Sequence, residues 1–113
     1  MCGIAGYLAL GSATARSVER MIGPLVHRGP DDAGTWIDSD AGVGLGHRRL
    51  SIVDLSPAGH EPMESASGRF IVTYNGEIYN HQALRSELEA AGLAPAGGWP
   101  GRSALEPSLP AIA

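Results

Sequence analysis

The chain has 113 residues, of which 43% are hydrophobic, enough for one modest domain but hardly for two. The net charge is −4 and the eight basic residues are scattered or paired, which disfavours nucleic-acid and anionic-membrane partners. The apolar stretch 4–10 is too short for a membrane helix and lacks a preceding basic segment, and one cysteine cannot form an internal disulfide. We therefore expect a soluble, cytoplasmic protein. The four histidines are far apart in sequence, so we predict no metal site.

The only cysteine directly follows Met1. Once Met1 is removed, Cys2 would carry both a thiol and a free α-amine, so one residue would supply a nucleophile and a proton acceptor. The alternative is a small buried hydrophobic residue. The position at residue 2 and the glycines Gly3 and Gly6, which allow close backbone approach, favour the nucleophile.

The first half of the chain alternates between strand and helix signals. Residues 4–10 are typical of a buried strand, and a helix should start near Thr14. Pro24 should shorten or kink this helix. Its predicted apolar face consists of Val18, Met21, Ile22 and Leu25. A polar loop over 27–32 and a hairpin with strands 35–37 and 43–47 follow.

Arg48 and Arg49 then lead into a β-prone apolar segment. Paired arginines usually form a solvated surface, although arginine is also the best side chain for holding a carboxylate through two parallel hydrogen bonds. A loop is predicted over 57–68.

The clearest strand signal is 70–74, followed by Asn75-Gly76. Asn-Gly alone indicates a hairpin turn, but here a helix follows, capped by Asn80 and ended by Gly92. An amide side chain and a backbone N–H at such a junction are suited to holding an oxyanion. Residues 93–113 contain half of the eight prolines and predict a loop or disordered tail.

Five motifs follow one another within residues 1–92. They are Met1-Cys2-Gly3-Ile4-Ala5-Gly6, His27-Arg28-Gly29-Pro30-Asp31, His47-Arg48-Arg49-Leu50-Ser51-Ile52-Val53-Asp54, Gly59-His60-Glu61-Pro62-Met63 and Tyr74-Asn75-Gly76-Glu77-Ile78-Tyr79-Asn80. Together they resemble the class II glutamine amidotransferases, and in particular the N-terminal glutaminase domain of glutamine-hydrolysing asparagine synthetases.

The resemblance implies an α+β fold of the N-terminal-nucleophile hydrolase type, an αββα sandwich of which about the first half is present. It also implies that Cys2 attacks the carboxamide of glutamine, with the oxyanion held by Asn75 and Gly76. The implied substrate-binding residues are Arg49 for the α-carboxylate, Glu77 for the α-ammonium, and Leu50, Ser51, Ile52 and Val53 around the pocket.

In this family, ammonia passes to a second domain that activates aspartate with ATP and magnesium. The sequence contains no Ser-Gly-Gly-x-Asp-Ser phosphate loop, so we expect the synthetase domain to be absent and this chain to hold no cofactor. The oligomeric state stays open.

The tail departs from the family pattern. Residues 99–106 resemble a damaged Trp-Arg-Gly-His-Ser-Asp-Thr-Glu segment, with Ala104 in place of the aspartate that helps to bind the α-ammonium. This departure suggests a truncated or frame-disrupted product. The alternatives to an active glutaminase are an inactive remnant or partner-binding fragment, and a related amidotransferase with another acceptor.

Overall fold

The computed structural model describes residues 1–9, 15–51 and 57–99 and shows an α+β protein, as predicted. In chain order the elements are β1 (Gly3–Leu8), α1 (Ala15–Ile22), a 3-10 helix (Gly23–His27), β2 (Asp32–Asp38), β3 (Val43–Arg49), a second 3-10 helix (Pro57–Gly59), β4 (Met63–Glu64), β5 (Ile71–Val72) and α2 (His81–Ala90). Neither described helix is long and apolar enough to cross a membrane.

The chain divides into two compact units. The first consists of Met1–Ser51, His60–Met63 and Val72–Asn75. The described residues of the second are 57–59, 64–71 and 76–99.

The first unit is built on a three-stranded antiparallel sheet with the strand order β1-β3-β2. The predicted hairpin is confirmed, with β2 and β3 each longer than the sequence indicated. Its turn is fixed because Asp38 Oδ1 accepts hydrogen bonds from the N–H groups of Asp40 (3.0 Å) and Ala41 (2.9 Å). Gly42 closes the turn with a φ of 68°, a conformation that favours glycine.

Helix α1 packs on one face of this sheet, directly over glycines of β3. Val18 is 0% exposed and Ile22 is 4% exposed, and a Cβ added at Gly46 would lie 2.5 Å from Ile22 Cγ2 and 2.6 Å from Val18 Cγ1. The missing side chain therefore lets the helix approach the strand. The helix ends at Ile22, in agreement with the expected effect of Pro24. Met21 is 40% exposed, so its predicted place on the buried face was wrong.

The opposite face of the sheet carries His47 and Arg49 of β3, because side chains alternate along a strand. Ile4 pairs with His47 and so shares this face, as does Leu8. Ile4 is 48% exposed and Leu8 is 80% exposed. This face is therefore polar and covered near His47 and apolar and open toward Leu8.

The second unit contains α2. Asn80 occupies the N-cap position of α2, as predicted, but its side chain makes no cap hydrogen bond. The predicted end at Gly92 is confirmed: its φ is 72° and Leu93 N–H donates to Leu88 O at 2.8 Å. Trp99 Nε1 donates to Glu89 Oε1 at 2.7 Å, which ties the last described residues to the helix.

Strands β4 and β5 form a two-stranded sheet. The strand predicted over 70–74 extends only over Ile71–Val72, and β4 lies where a loop was predicted. Residues 100–113, including Ala104, lie outside the described residues.

Candidate active site at the end of strand β3

The sulphur of Cys2 lies beside the residue that follows β3. Gly3 pairs with Arg48, which places Cys2 next to the carboxyl end of that strand. Leu50 N–H donates to Cys2 Sγ at 3.3 Å, and the thiol lies 3.8 Å from the carbonyl oxygen of Leu50. Cys2 is half-buried, whereas Met1 is 73% exposed. The sulphur of Cys2 is therefore held against the backbone of Leu50, while part of the residue stays accessible to solvent.

The loop before β2 fixes the backbone around Leu50. Asp31 N–H donates to Arg49 O at 3.0 Å, and Ser51 N–H donates to Asp31 Oδ2 at 2.7 Å. Arg48 Nε donates to Gly29 O at 2.9 Å, and a Cβ at Gly29 would overlap the backbone of Arg48. This polar loop, which alone is an ordinary turn signal, holds both sides of the residue that contacts Cys2.

Arg49 is only 9% exposed, unlike the solvated surface that paired arginines usually form. Its positive charge contributes to lowering the pKa of Asp32, with which it pairs across the sheet, and opposes the rise in the pKa of Glu61. Arg49, which is predicted to bind the α-carboxylate of glutamine, therefore lies within electrostatic range of the carboxyl groups of Asp32 and Glu61.

A buried polar pair, His47 and Glu61, lies on the same side of the sheet as Arg49. His47 is 2% exposed and Glu61 is 7% exposed, and His47 Nε2 lies 3.6 Å from Glu61 Oε2. Burial lowers the pKa of the His47 imidazole and raises the pKa of the Glu61 carboxyl. Both shifts favour the neutral forms, and 3.6 Å exceeds hydrogen-bond distance, so we do not regard this pair as a strong salt bridge.

Asp32 and His60 form a more exposed pair in the same unit. His60 Nδ1 lies 2.6 Å from Asp32 Oδ2. Burial alone would raise the pKa of Asp32, but hydrogen bonds from His60 and from the Ala33 N–H, together with nearby positive charge, lower it. Asp32 is therefore held as a carboxylate near Arg49.

Glu61 also contacts the segment that carries Asn75. Tyr74 N–H donates to Glu61 Oε2 at 2.6 Å, and Asn75 is the next residue. Asn75 is exposed and belongs to the first unit, as do Cys2, Arg49, Leu50 and Ser51.

The remaining predicted site residues lie in the second unit or outside the described residues. Gly76 and Glu77 are exposed and belong to the second unit. Ile52 and Val53 lie outside the described residues. Within the described ranges, no cluster of three or more histidine, cysteine or acidic side chains could hold a metal ion.

Sequence reasoning missed the roles of Asp31, His47 and Glu61, although each lies in one of the quoted motifs. A usable signal for His47 was its spacing of two from Arg49, which places both on one face of a strand. No local signal could pair Glu61 with Tyr74, because that hydrogen bond depends on tertiary packing.

The sequence profile of the family described as "Glutamine amidotransferase domain" matches residues 1–97. The match covers most of the chain and includes the Cys2 site, the loop before β2 and the Asn75 segment. The chain belongs to the class II glutamine amidotransferases.

Relatives of this chain include asparagine synthetases [glutamine-hydrolyzing] 1 and 2 of Bacillus subtilis. The first is 40% identical over 97 residues, which cover 81% of this chain and 15% of the synthetase; the second is 40% identical over 93 residues, covering 78% and 12%. The protein named "Amidase chry2" of Gibberella zeae is 35% identical over 100 residues, covering 78% of this chain and 15% of the amidase. The chain spans only 12–15% of the length of these relatives.

Proposed function

We propose that this chain is the glutaminase part of a glutamine-hydrolysing asparagine synthetase, which converts glutamine to glutamate and ammonia. The observation that supports it most is the Cys2 sulphur 3.3 Å from Leu50 N, at the end of a strand that also carries Arg49. Similarity to the Bacillus subtilis synthetases favours aspartate as the final acceptor of the ammonia.

Met1 must be removed before the protein can react, because its removal frees the α-amine of Cys2. The exposure of Met1 is consistent with its removal. The α-amine accepts the thiol proton, and the sulphur attacks the carboxamide carbon of glutamine. The nitrogen leaves as ammonia with the returned proton, and water then hydrolyses the γ-glutamyl thioester to give glutamate and the free thiol.

The substrate contacts follow from family membership. Arg49 binds the α-carboxylate and Glu77 the α-ammonium of glutamine, while Leu50, Ser51, Ile52 and Val53 shape the pocket. The side chain of Asn75 and the N–H of Gly76 hold the oxyanion of the tetrahedral intermediate.

We further propose that residues 1–92 form part of an αββα sandwich of the N-terminal-nucleophile hydrolase type, and that 93–113 form a divergent tail. The open apolar face around Ile4 and Leu8 supports this, because a second sheet would cover such a face.

ATP and magnesium would serve the synthetase domain of the whole enzyme. The described residues do not fit them, since they include no cluster that could hold a metal ion and the sequence has no phosphate loop. No step proposed above uses either.

Two alternatives have an observation in their favour. The exposure of Leu8 (80%) favours a non-catalytic fragment that binds a partner. Similarity to an amidase favours a related enzyme that does not use aspartate.

Glutamate release from glutamine tests the proposal. Intact mass first establishes that Met1 is gone, and release is then measured for the wild type, for the alkylated protein and for Cys2→Ser. Release that disappears on alkylation and in Cys2→Ser supports the glutaminase. Folded, processed protein that shows no such release would refute the glutaminase and favour the partner-binding fragment.

A further inference from the structure

A single buried carboxyl group connects strand β3 with the segment that carries Asn75. Glu61 Oε2 accepts the Tyr74 N–H at 2.6 Å and lies 3.6 Å from Nε2 of His47, two residues before Arg49. All of these residues belong to the first unit. Glu61 therefore lies beside a side chain of the strand that carries Arg49 and bonds to the backbone of the segment that carries Asn75.

We propose that Glu61 is a positioning residue for the oxyanion site. By accepting the Tyr74 N–H, Glu61 fixes the main chain immediately before Asn75 and so directs the Asn75 amide. This inference rests on the proposed glutaminase function. Glu61 is not a catalytic residue, because it acts on the oxyanion only through the backbone.

The burial of Glu61 favours a specific role for its oxygen. A carboxyl that is 7% exposed is costly unless its oxygens are hydrogen-bonded, and an apolar side chain would fill the same space without that cost. An apolar side chain could not accept the Tyr74 N–H, which would then be left without this acceptor. The useful property of Glu61 is therefore its acceptor oxygen.

The backbone of Glu61 is itself closely held. A Cβ added at Gly34 would overlap the carbonyl oxygen of Glu61, so this residue lies directly against strand β2. An acceptor anchored on a sheet is suited to fix a neighbouring segment, because it moves little relative to the sheet.

Two substitutions of similar size separate the acceptor from packing. Glu61→Gln keeps an acceptor oxygen, so we expect kcat within about threefold of the wild type. Glu61→Met keeps the volume but removes the acceptor, so we expect kcat to fall about 10- to 100-fold, with KM changed by less than about threefold. The matched controls Glu19→Gln and Glu19→Met alter an exposed glutamate on α1 and should leave both constants unchanged.

NMR of the full chain gives a readout that does not depend on activity. The Tyr74 amide shift of the wild type should follow the titration of the Glu61 carboxyl carbon, whose own resonance supplies the midpoint. The Asn75 side-chain amide should shift in Glu61→Met and return in Glu61→Gln. The carboxyl resonance is needed because other titrating or charged groups lie within electrostatic range of this site: Asp32, His47, Arg49 and His60.

Equal kcat in folded Glu61→Gln and Glu61→Met, with an unmoved Asn75 amide, would overturn the proposal. If Glu61→Met does not fold, a Tyr74 amide that ignores the Glu61 titration overturns it, and one that follows it supports it. A wild type without thiol-dependent glutamate release would refute the glutaminase alone, and the NMR comparison would still decide whether Glu61 positions Asn75.

Discussion

The backbone N–H of Leu50 points at the sulphur of Cys2 across 3.3 Å, although 48 residues separate the two in sequence. The contact forms because β1 and β3 pair antiparallel, with Gly3 opposite Arg48. The register of one strand pair thus brings Cys2, the proposed nucleophile, to the segment proposed to bind the substrate.

The first prediction concerns the loop that holds this segment. Asp31→Ala removes the acceptor of the Ser51 N–H, so we expect KM for glutamine to rise about 3- to 10-fold, as the loss of one hydrogen bond allows. Steady-state kinetics measure this change. Asp31→Asn keeps an acceptor and should stay near the wild type, and Asp40→Ala, in the distant turn, is the control. An unchanged KM in Asp31→Ala would show that the loop does not shape the site.

The second prediction concerns the oxyanion. Asn75→Ala should lower kcat about 10²- to 10³-fold, because one oxyanion donor is lost. Asn80→Ala is a matched control, since Asn80 makes no cap hydrogen bond. Equal kcat values for the two variants would remove Asn75 from the mechanism.

The third prediction concerns the packing of α1. Gly46→Ala would place a Cβ 2.5 Å from Ile22 Cγ2, so we expect the free energy of unfolding to fall by about 1–3 kcal/mol. Gly23→Ala, where nothing lies within 4 Å of the added Cβ, should be neutral or stabilising by up to about 1 kcal/mol. Urea denaturation of both variants measures the difference. Equal destabilisation would contradict the close contact of helix and strand.

The fourth prediction concerns acid stability. Burial lowers the pKa of His47 below its ordinary value of 6.5. As the pH falls below 6.5, the unfolded chain therefore binds a proton at His47 more readily than the folded protein does. Stability from His47 is therefore present above pH 6.5 and lost as the pH falls through the folded-state pKa. Glu61 acts oppositely: its raised pKa gives stability that is present below 4.5 and lost as the pH rises through the folded-state value.

Urea denaturation between pH 4 and 8 separates these two contributions. His47→Gln should flatten the fall in stability on acidification, and Glu61→Gln should remove the opposing change. A His47→Gln profile that matches the wild type would refute the assignment to His47.

Local patterns predicted the elements that local chemistry determines. The hairpin followed from a turn sequence between two strand signals, and α1 followed from the spacing of Val18 and Ile22. The end of α2 at Gly92 was also predicted, because glycine readily takes a positive φ. The role of Cys2 as a nucleophile stays a prediction, made from its position at residue 2 and from the neighbouring glycines.

The rest depends on contacts that are distant in sequence. Residues 70–74 are β-prone, but only Ile71–Val72 form a strand. Extended structure needs a partner strand in addition to β-prone side chains. The burial of His47 and Glu61 could not be read from the sequence, where charged and polar groups are expected at the surface.

The most direct test of the account is covalent labelling of processed protein with a glutamine analogue that carries an electrophilic carbon in place of the carboxamide. Peptide mapping should find one adduct, on Cys2, and excess glutamine should slow its formation. Protein that retains Met1 should react far more slowly, because its Cys2 nitrogen is an amide. Folded, processed protein that forms no adduct on Cys2, or forms one that glutamine does not slow, would contradict the assignment of Cys2 as the glutaminase nucleophile.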